Sequence, residues 1–210
     1  MRKITYILTI LTFLLVAQTN AQEMRSIFIE MPDSIIPLLT KSNRADCVDF
    51  LDAKMKARVT NRFDGHSELL QITPDYLKMQ LTSHSTLQMK LLPRSSGDTI
   101  ICLVNTVRAE AGDSHIRFYT KKWQEITPAK QLFKKPQIKD FFTPTDSLGK
   151  ILQIADIYLV ELTLFPLVKT IQASYTMPSY MSRKDSAFVS KNMHTIEYQW
   201  TGKTFEPTRK

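Results

Sequence analysis

Short segments in which apolar and polar side chains alternate follow one another through the middle of the chain. In one of them Leu77, Met79 and Leu81 would share a face, because successive side chains of a strand point to opposite sides. Alternation over several neighbouring segments predicts an antiparallel meander with one buried face and one hydrated face. The predicted strands span residues 68–72, 76–81, 86–92, 99–107 and 115–120.

The segment at residues 99–107 differs from its neighbours, because it is apolar on both faces over its first half. A strand with this pattern is covered on both sides. Gly97 with Asp98, and Gly112 with Asp113, supply turn residues before this segment and before the next one. We therefore expect residues 99–107 to form a central strand of the sheet.

A helix is predicted ahead of the strands, over residues 43–59, where apolar side chains recur at helical spacing. Ser42 or Asn43 could cap its first turn, and Pro32 predicts a short helical turn upstream. Acidic residues come early in the segment and basic residues late, which suits the helix dipole. The predicted buried face holds Cys47, Phe50, Leu51, Met55 and Val59.

The last third of the chain again mixes strands with a helix, after a stretch rich in proline and lysine at residues 127–147. Ser182, with Asp185 three residues later, resembles a capping box and predicts the start of a helix. The alternating segments flanking this helix predict a hairpin and one further strand. They span residues 157–164, 170–177 and 194–200.

The predicted fold class is α+β: an antiparallel β-sheet meander packed by two or three helices. Residues 22–210 are long enough for one sizeable hydrophobic core. The alternative is two halves, residues 22–127 and 148–210, joined by the proline- and lysine-rich connector. The sequence leaves both organisations open.

The chain begins with the pattern of a secretory signal peptide. Arg2 and Lys3 precede an apolar run, and polar residues with the small Ala21 follow it. The run is about 14 residues long, whereas a membrane-spanning helix needs about 20. We expect cleavage after Ala21, a mature chain that starts at Gln22, and export to the periplasm or cell envelope without a membrane span.

Composition and charge narrow the classes of protein and partner. Hydrophobic residues make up 43% of the chain and charged residues 23%, which is typical of a folded domain and excludes collagen-like or disordered chains. Loss of Arg2 and Lys3 lowers the net charge from +8 to +6. A basic exported protein is attracted to an acidic envelope component or an envelope protein, whereas nucleic acid is not expected as a partner.

Cys47 and Cys102 are the two cysteines, and an oxidising compartment would allow one pairing between them. A disulfide would close a loop of about 55 residues, worth on the order of 4 kcal/mol in the chain-entropy model. Both cysteines lie in apolar patterns, so two buried free thiols are the alternative. Neither has the Cys-x-x-Cys partner or nearby histidine that would indicate thiol catalysis.

Three groups of polar residues could carry chemistry. Asp46, Asp49 and Asp52 are spaced to share a cation, yet early acids also stabilise a helix dipole and one helix supplies few ligands for calcium. Asp64 and His66 flank a turn glycine and could form an acid–base pair or bind a metal. Aspartate and glycine also favour turns for backbone reasons, so a purely structural turn is the alternative.

The third group is Asp113, His115, Arg117 and Tyr119, which we interpret as the best candidate binding site. Strand alternation places the last three on one face, with Ile116 towards the core. A hydrated outer face would show the same pattern.

Several short motifs between residues 31 and 123 are characteristic as a set. They are MPDSIIPLL at 31–39, NRAD at 43–46, DF at 49–50, VTN at 59–61, MKLLP at 89–93 and DSHIRFY at 113–119, followed by Trp123. With these motifs the chain resembles a family of secreted Bacteroidales proteins catalogued as a domain of unknown function. The resemblance implies export and a shared architecture, and it transfers no catalytic residue. Cys47 stands where the family pattern implies a plain apolar residue, which weakens the case for a disulfide.

Common catalytic and cofactor motifs are absent from the sequence: it has no zinc-protease helix, nucleophile elbow, glycine-rich phosphate loop or EF-hand. We therefore predict no cofactor and no metal. The leading hypothesis is a non-enzymatic, secreted or periplasmic binding module. The alternative is a periplasmic hydrolase that uses His115 or His66 with an acid, which would require two such groups within hydrogen-bond distance in a pocket.

Overall fold

A computed structural model describes residues 23–145 and 147–208. The predicted signal peptide and its cleavage site after Ala21 lie outside the described residues. Within those two ranges the chain forms four α-helices and ten strands, and the strands assemble into two antiparallel sheets. The predicted α+β class is therefore confirmed.

Strands β1 to β6 form the first sheet in sequence order, and each strand is antiparallel to its neighbours. The five strands predicted in this region are all present. As expected, β5 is an inner strand, and residues 100–104 are buried on both faces. The bounds are β1 Arg58–Thr60, β2 His66–Ile72, β3 Tyr76–Thr82, β4 Ser85–Pro93, β5 Thr99–Arg108 and β6 Gly112–Thr120.

Strands β7 to β10 form the second sheet, in the order β10-β9-β8-β7. The predicted hairpin is confirmed as β7 paired with β8, and the strand predicted near the C-terminus is β9. A short strand, β10, returns along β9 and completes the sheet. The bounds are β7 Val160–Leu164, β8 Thr170–Tyr175, β9 Ile196–Trp200 and β10 Phe205–Pro207.

Two of the four helices in the described ranges begin at a residue whose side chain caps the first turn. Ser182 caps α4 as predicted, because its hydroxyl accepts the backbone N–H of Asp185 at 3.2 Å. Helix α2 is capped by Thr40, whose hydroxyl accepts the backbone N–H of Asn43 at 3.1 Å. The bounds are α1 Glu23–Ile29, α2 Lys41–Asp52, α3 Leu148–Ile154 and α4 Arg183–Lys191.

The predicted helix over residues 43–59 was too long and its cap was wrong. Helix α2 ends at Asp52, and Lys54 adopts a left-handed backbone conformation with φ of 57°, which stops the helix. Met55 is consequently exposed, and Val59 lies in β1 instead of on a helix face. Phe50 packs against the core but is only half-buried.

The first sheet separates two hydrophobic cores. On one face Met79, Met89 and Leu103 pack under α1 and α2, which contribute Phe28 and Val48. On the other face apolar side chains of β4 to β6 pack against the second sheet and the segment from 126 to 155. Residues from the range 22–127 and residues from the range 148–210 thus both contribute to this second core.

Strand β7 is an edge of the second sheet, and side chains of the first sheet satisfy its free backbone groups. The N–H groups of Val160, Leu162 and Leu164 donate to Asp113 Oδ1, Ser114 Oγ and Gln88 Oε1 at 3.2, 2.9 and 3.2 Å. Gln88 also donates to the carbonyl of Leu164 at 3.2 Å. Buried backbone polar groups need partners, so these contacts hold the two sheets together.

Candidate functional site

The candidate residues on β6 lie on a face that changes from covered to open along the strand. Register pairs Tyr119 with Ile101, Arg117 with Leu103 and His115 with Asn105. Tyr119 is buried under the helices, Arg117 is half-buried and His115 is exposed. The strand register thus places these three side chains on one face, as predicted, but they differ in solvent exposure.

Tyr119 belongs to the core and is not a surface residue. It is 3% exposed, and its ring lies 5.4 Å from the ring of Trp123 and 5.8 Å from Arg117 Cζ. Burial raises the pKa of the Tyr119 phenol, although the positive charge of Arg117 opposes the shift. The inference that alternation would expose Tyr119 was wrong, because a second layer covers this end of the strand.

Trp123 reaches Tyr119 through an unusual turn after β6. Its backbone has a φ of 61°, and its N–H donates to the carbonyl of Thr120 at 2.9 Å. A left-handed conformation is uncommon for a bulky residue, so the surrounding contacts must hold it in place. The turn thereby places the indole against the Tyr119 ring at an interplanar angle of 58°, and Arg117 lies over the same ring.

Three buried polar atoms in this neighbourhood have no hydrogen-bond partner among the described residues: Asn105 Oδ1, Arg117 Nε and Trp123 Nε1. Asn105 is diagonal to Arg117 across β5 and β6, since it pairs with His115. The face opens completely at Val107, which is 60% exposed. We call Asn105, Val107, His115, Arg117 and Trp123 the β5–β6 patch.

Asp113, the remaining candidate, has a structural contact. Its carboxylate accepts the backbone N–H of Val160 at 3.2 Å, on edge strand β7. This bond draws the side chain to the second sheet, so Asp113 is not included in the patch.

Asp64 and His66 lie at a different corner of the sheet, at the turn between β1 and β2. The left-handed Asp64, with φ of 58°, forms the turn. His66 lines a groove of about 540 Å³ together with Arg58, Glu68 and Phe63. Asp64 is not among the lining residues, so the structure does not place the two side chains together in the groove.

All four histidines are described, and none of their side chains makes a hydrogen bond or ion pair with a carboxylate within residues 23–145 and 147–208. The same ranges hold no group of three His, Cys, Asp or Glu residues that could bind a metal ion. Asp52 instead binds Arg25, with oxygens 2.5 and 2.7 Å from Arg25 Nη1.

Cys47 and Cys102 are free thiols on opposite sides of the first sheet, so the disulfide considered from the sequence does not form. Cys47 lies in the core under the helices, and Cys102 lies in the core between the sheets. Burial raises the pKa of the Cys47 thiol to about 11 and raises that of Cys102 further. Both thiols are structural and poorly nucleophilic.

Sequence reasoning missed Asn105 and Trp123 in the patch and Arg58, Glu68 and Phe63 around the groove. Asn105 interrupts an apolar strand, and that polar residue in a buried pattern was a usable signal. Phe63 gave no signal, because an aromatic residue in a turn is as readily buried as exposed.

Known proteins include a family that matches this chain in sequence and a structure that is similar to it in fold. A family model described as Protein of unknown function (DUF3256) matches residues 16–205. This chain belongs to the DUF3256 family. A domain of an uncharacterized protein from Porphyromonas gingivalis W83 has a similar structure, with a TM-score of 0.78 and 22% sequence identity over 90% of this chain and 100% of that chain. No curated protein matches the chain.

Membership of DUF3256 confirms the resemblance to a family of unknown function, and the similar structure comes from a Bacteroidales bacterium. At 22% identity this structural similarity establishes a common fold and no shared activity. Within the described ranges, no helix is both long enough and apolar enough to cross a membrane.

Proposed function

We propose that this DUF3256 chain is a non-enzymatic binding module, exported to the periplasm or cell surface, that recognises an acidic envelope component through the β5–β6 patch. The main support is the set of buried polar atoms on Asn105, Arg117 and Trp123, which lack partners among the described residues. Such atoms are nearly always hydrogen-bonded, because leaving one unpaired costs about 1–3 kcal/mol. These side chains therefore have unused hydrogen-bonding capacity beside the exposed Val107 and His115.

The chemistry of the patch indicates what the partner should present. Arginine Nε and indole Nε1 can donate hydrogen bonds but cannot accept them. Arg117 also carries a positive charge, and exposed His115 lies beside Asn105 on the neighbouring strand. Carboxylate or phosphate oxygens of the partner would pair with the charge of half-buried Arg117, and the net charge of +8, or +6 after cleavage, would favour encounter with an acidic surface.

Export is part of the proposal and has its own test. It is motivated by Arg2, Lys3, the apolar run and Ala21. Mass spectrometry of the native protein from a periplasmic or surface fraction is expected to give Gln22 as the first residue. A cytoplasmic protein that retains Met1 would contradict export.

Binding can be tested by capture from envelope extract with the tagged mature protein. The test variant is His115→Ala with Arg117→Ala, and Tyr119 is left intact because it is part of the core. The matched control is His194→Ala with Arg183→Ala, which removes the same residue types from exposed positions associated with the second sheet. We expect the patch variant to lose the captured component and the control to retain it.

Both variants should keep the melting temperature of the wild type, since exposed or half-exposed side chains contribute little stability, typically about 0.5 kcal/mol or less. Equal capture by a folded patch variant would reject the patch as the binding site. Capture that falls with increasing salt would support an acidic partner, since salt screens exposed charges.

The hydrolase alternative has less support. It would need a histidine held by an acid, whereas no histidine side chain pairs with a carboxylate in the described ranges, and His66 and His115 lie in different parts of the sheet.

A further inference from the structure

One row of side chains crosses all six strands of the first sheet and is polar throughout. Register places Arg58 opposite Glu68, Glu68 opposite Gln80 and Gln80 opposite Thr86, on the face that carries the second sheet. The row continues through Thr106 and Ser114. The second sheet covers only the β4–β6 side, so the β1–β3 side of the row is open to solvent.

The groove beside this open side is lined by several hydrogen-bonding side chains together with the apolar Leu38 and Phe63. Arg58 Nε and Nη2 lie 3.1 and 3.0 Å from Glu68 Oε2. Gln80 and Thr82 line the same groove on β3, and His66 lines it on β2. These side chains offer donors and acceptors along the surface of the sheet.

The turn that borders the groove is held rigidly by one buried side chain. Asn61 Oδ1 accepts the backbone N–H groups of Phe63 and Gly65 at 3.0 and 3.2 Å. Its Nδ2 donates to Ser67 Oγ at 3.1 Å, and Ser67 donates to the carbonyl of Leu81 at 2.6 Å. The position of the turn is therefore set by the sheet below it.

Phe63 stands on this rigid turn with 76% of its surface exposed. A large aromatic side chain in water loses the free energy of burial, and here it borders a groove instead of packing into a core. An exposed aromatic ring at a fixed position is a preorganised stacking surface, which lowers the entropic cost of binding.

From this arrangement we propose that the groove, with Phe63 at its rim, binds a saccharide chain. A sugar ring has an apolar face of C–H groups that can stack on the ring of Phe63. Its edge carries hydroxyl groups that can exchange hydrogen bonds with Arg58, Glu68 and Gln80. A site that combines one aromatic face with several planar polar side chains meets both requirements.

A peptide fits the groove less well. Strand addition needs a free edge, but β1 has three residues, and the Thr60 carbonyl is contacted by Asn43 Nδ2 at 3.5 Å. Side-chain recognition of a peptide would need apolar pockets, whereas most of the residues that line this groove are polar, with Leu38 and Phe63 as the apolar ones.

The test uses the mature protein on a printed array of neutral and acidic oligosaccharides, followed by calorimetric titration with the strongest binder. We expect wild-type protein to bind, Phe63→Ala to weaken binding by at least about tenfold, and Phe63→Trp to retain it. Gln80→Ala should also weaken binding, through loss of hydrogen bonds. The matched control is Leu167→Ala, which removes another exposed apolar side chain, 93% accessible, from a different turn.

Three results would overturn the saccharide site. They are no binding of wild-type protein to any saccharide on the array, equal binding by folded Phe63→Ala, and Phe63-dependent binding to a peptide library with none to saccharides. Saccharide binding that depends on His115 and Arg117, and not on Phe63 or Gln80, would also overturn it. The β5–β6 patch and the groove share no residue, so failure at one site leaves the other proposal standing.

Discussion

The two ends of the polar row show how position in the fold changes the role of similar side chains. At the β5–β6 end Thr106 and Ser114 are buried, with their hydroxyls 2.8 Å apart, and Ser114 accepts the N–H of Leu162. At the β1–β3 end Glu68 and Gln80 border an open groove. The covered end therefore holds two sheets together, and the open end is available for a ligand.

This contrast shows that a polar residue on a strand can be structural or functional according to what lies above it. Strand β7 lies over one end of the row, and its edge needs hydrogen-bond partners. Nothing in the described ranges lies over the other end in the same way. The opposite face of the sheet shows a similar change along β6, from buried Tyr119 to exposed His115.

The largest expected effect on stability is that of truncating Tyr119. Tyr119→Ala should lower the free energy of unfolding by about 3–5 kcal/mol, because it removes a buried aromatic side chain. His115→Ala, four residues earlier on the same face, should change it by about 0.5 kcal/mol or less. Urea denaturation of the two variants measures the difference. Similar changes in the free energy of unfolding for the two variants would mean that this face of β6 is covered, or open, along its whole length.

The two glutamines Gln88 and Gln80 provide a matched pair on the other face. Gln88→Ala should cost about 1–3 kcal/mol, because it leaves the N–H and carbonyl of Leu164 without their partners. Gln80→Ala should cost about 0.5 kcal/mol or less, since its side chain borders the open groove. Chemical denaturation tests both. A cost for Gln80 equal to that for Gln88 would show that the β1–β3 end is also a structural contact.

Alkaline pH should weaken the covered core. Burial raises the pKa of Tyr175 and of Tyr198 from 10.0 to about 12, and nearby acids, Asp156 and Asp140 respectively, add to the shift. The unfolded chain would ionise first, so stability is complete below pH 10 and is lost as the pH rises towards 12. Tyrosinate absorbance and circular dichroism, followed together against pH, measure this loss.

Tyr198→Phe is the control for that titration, because it removes one ionising group and keeps the ring. The variant should lose less stability than wild type over the same pH range. Early tyrosinate formation by Tyr175 and Tyr198 in a folded protein would contradict their burial.

The smallest expected effect is that of reductant. Because Cys47 and Cys102 lie in different cores, addition of reductant should leave the melting temperature unchanged. Both thiols should resist alkylation in the folded protein and react after unfolding. A lower melting temperature in reductant would show that a disulfide exists and that the two cores are arranged differently.

Much of the fold could be predicted from local pattern. Alternation located β2 to β6, and the cap at Ser182 located the start of α4. The errors fell where local signals were weak or in conflict. The predicted helix continued past Asp52 into β1, because the sequence does not indicate that Lys54 adopts a left-handed conformation. The short helices α1 and α3 were missed, because seven residues give too little periodicity to detect.

The sequence by itself determined which side chains share a strand face, since that depends on the two-residue repeat of an extended backbone. Only the tertiary structure decided which faces are covered. Ser114 is buried because β7, more than forty residues later, packs over it, and the backbone N–H of Leu162 donates to its hydroxyl. Tyr119 is buried because helix α1, more than eighty residues earlier, helps build the core beneath it. Burial depends on contacts between distant segments, and periodicity within one segment carries no information about them.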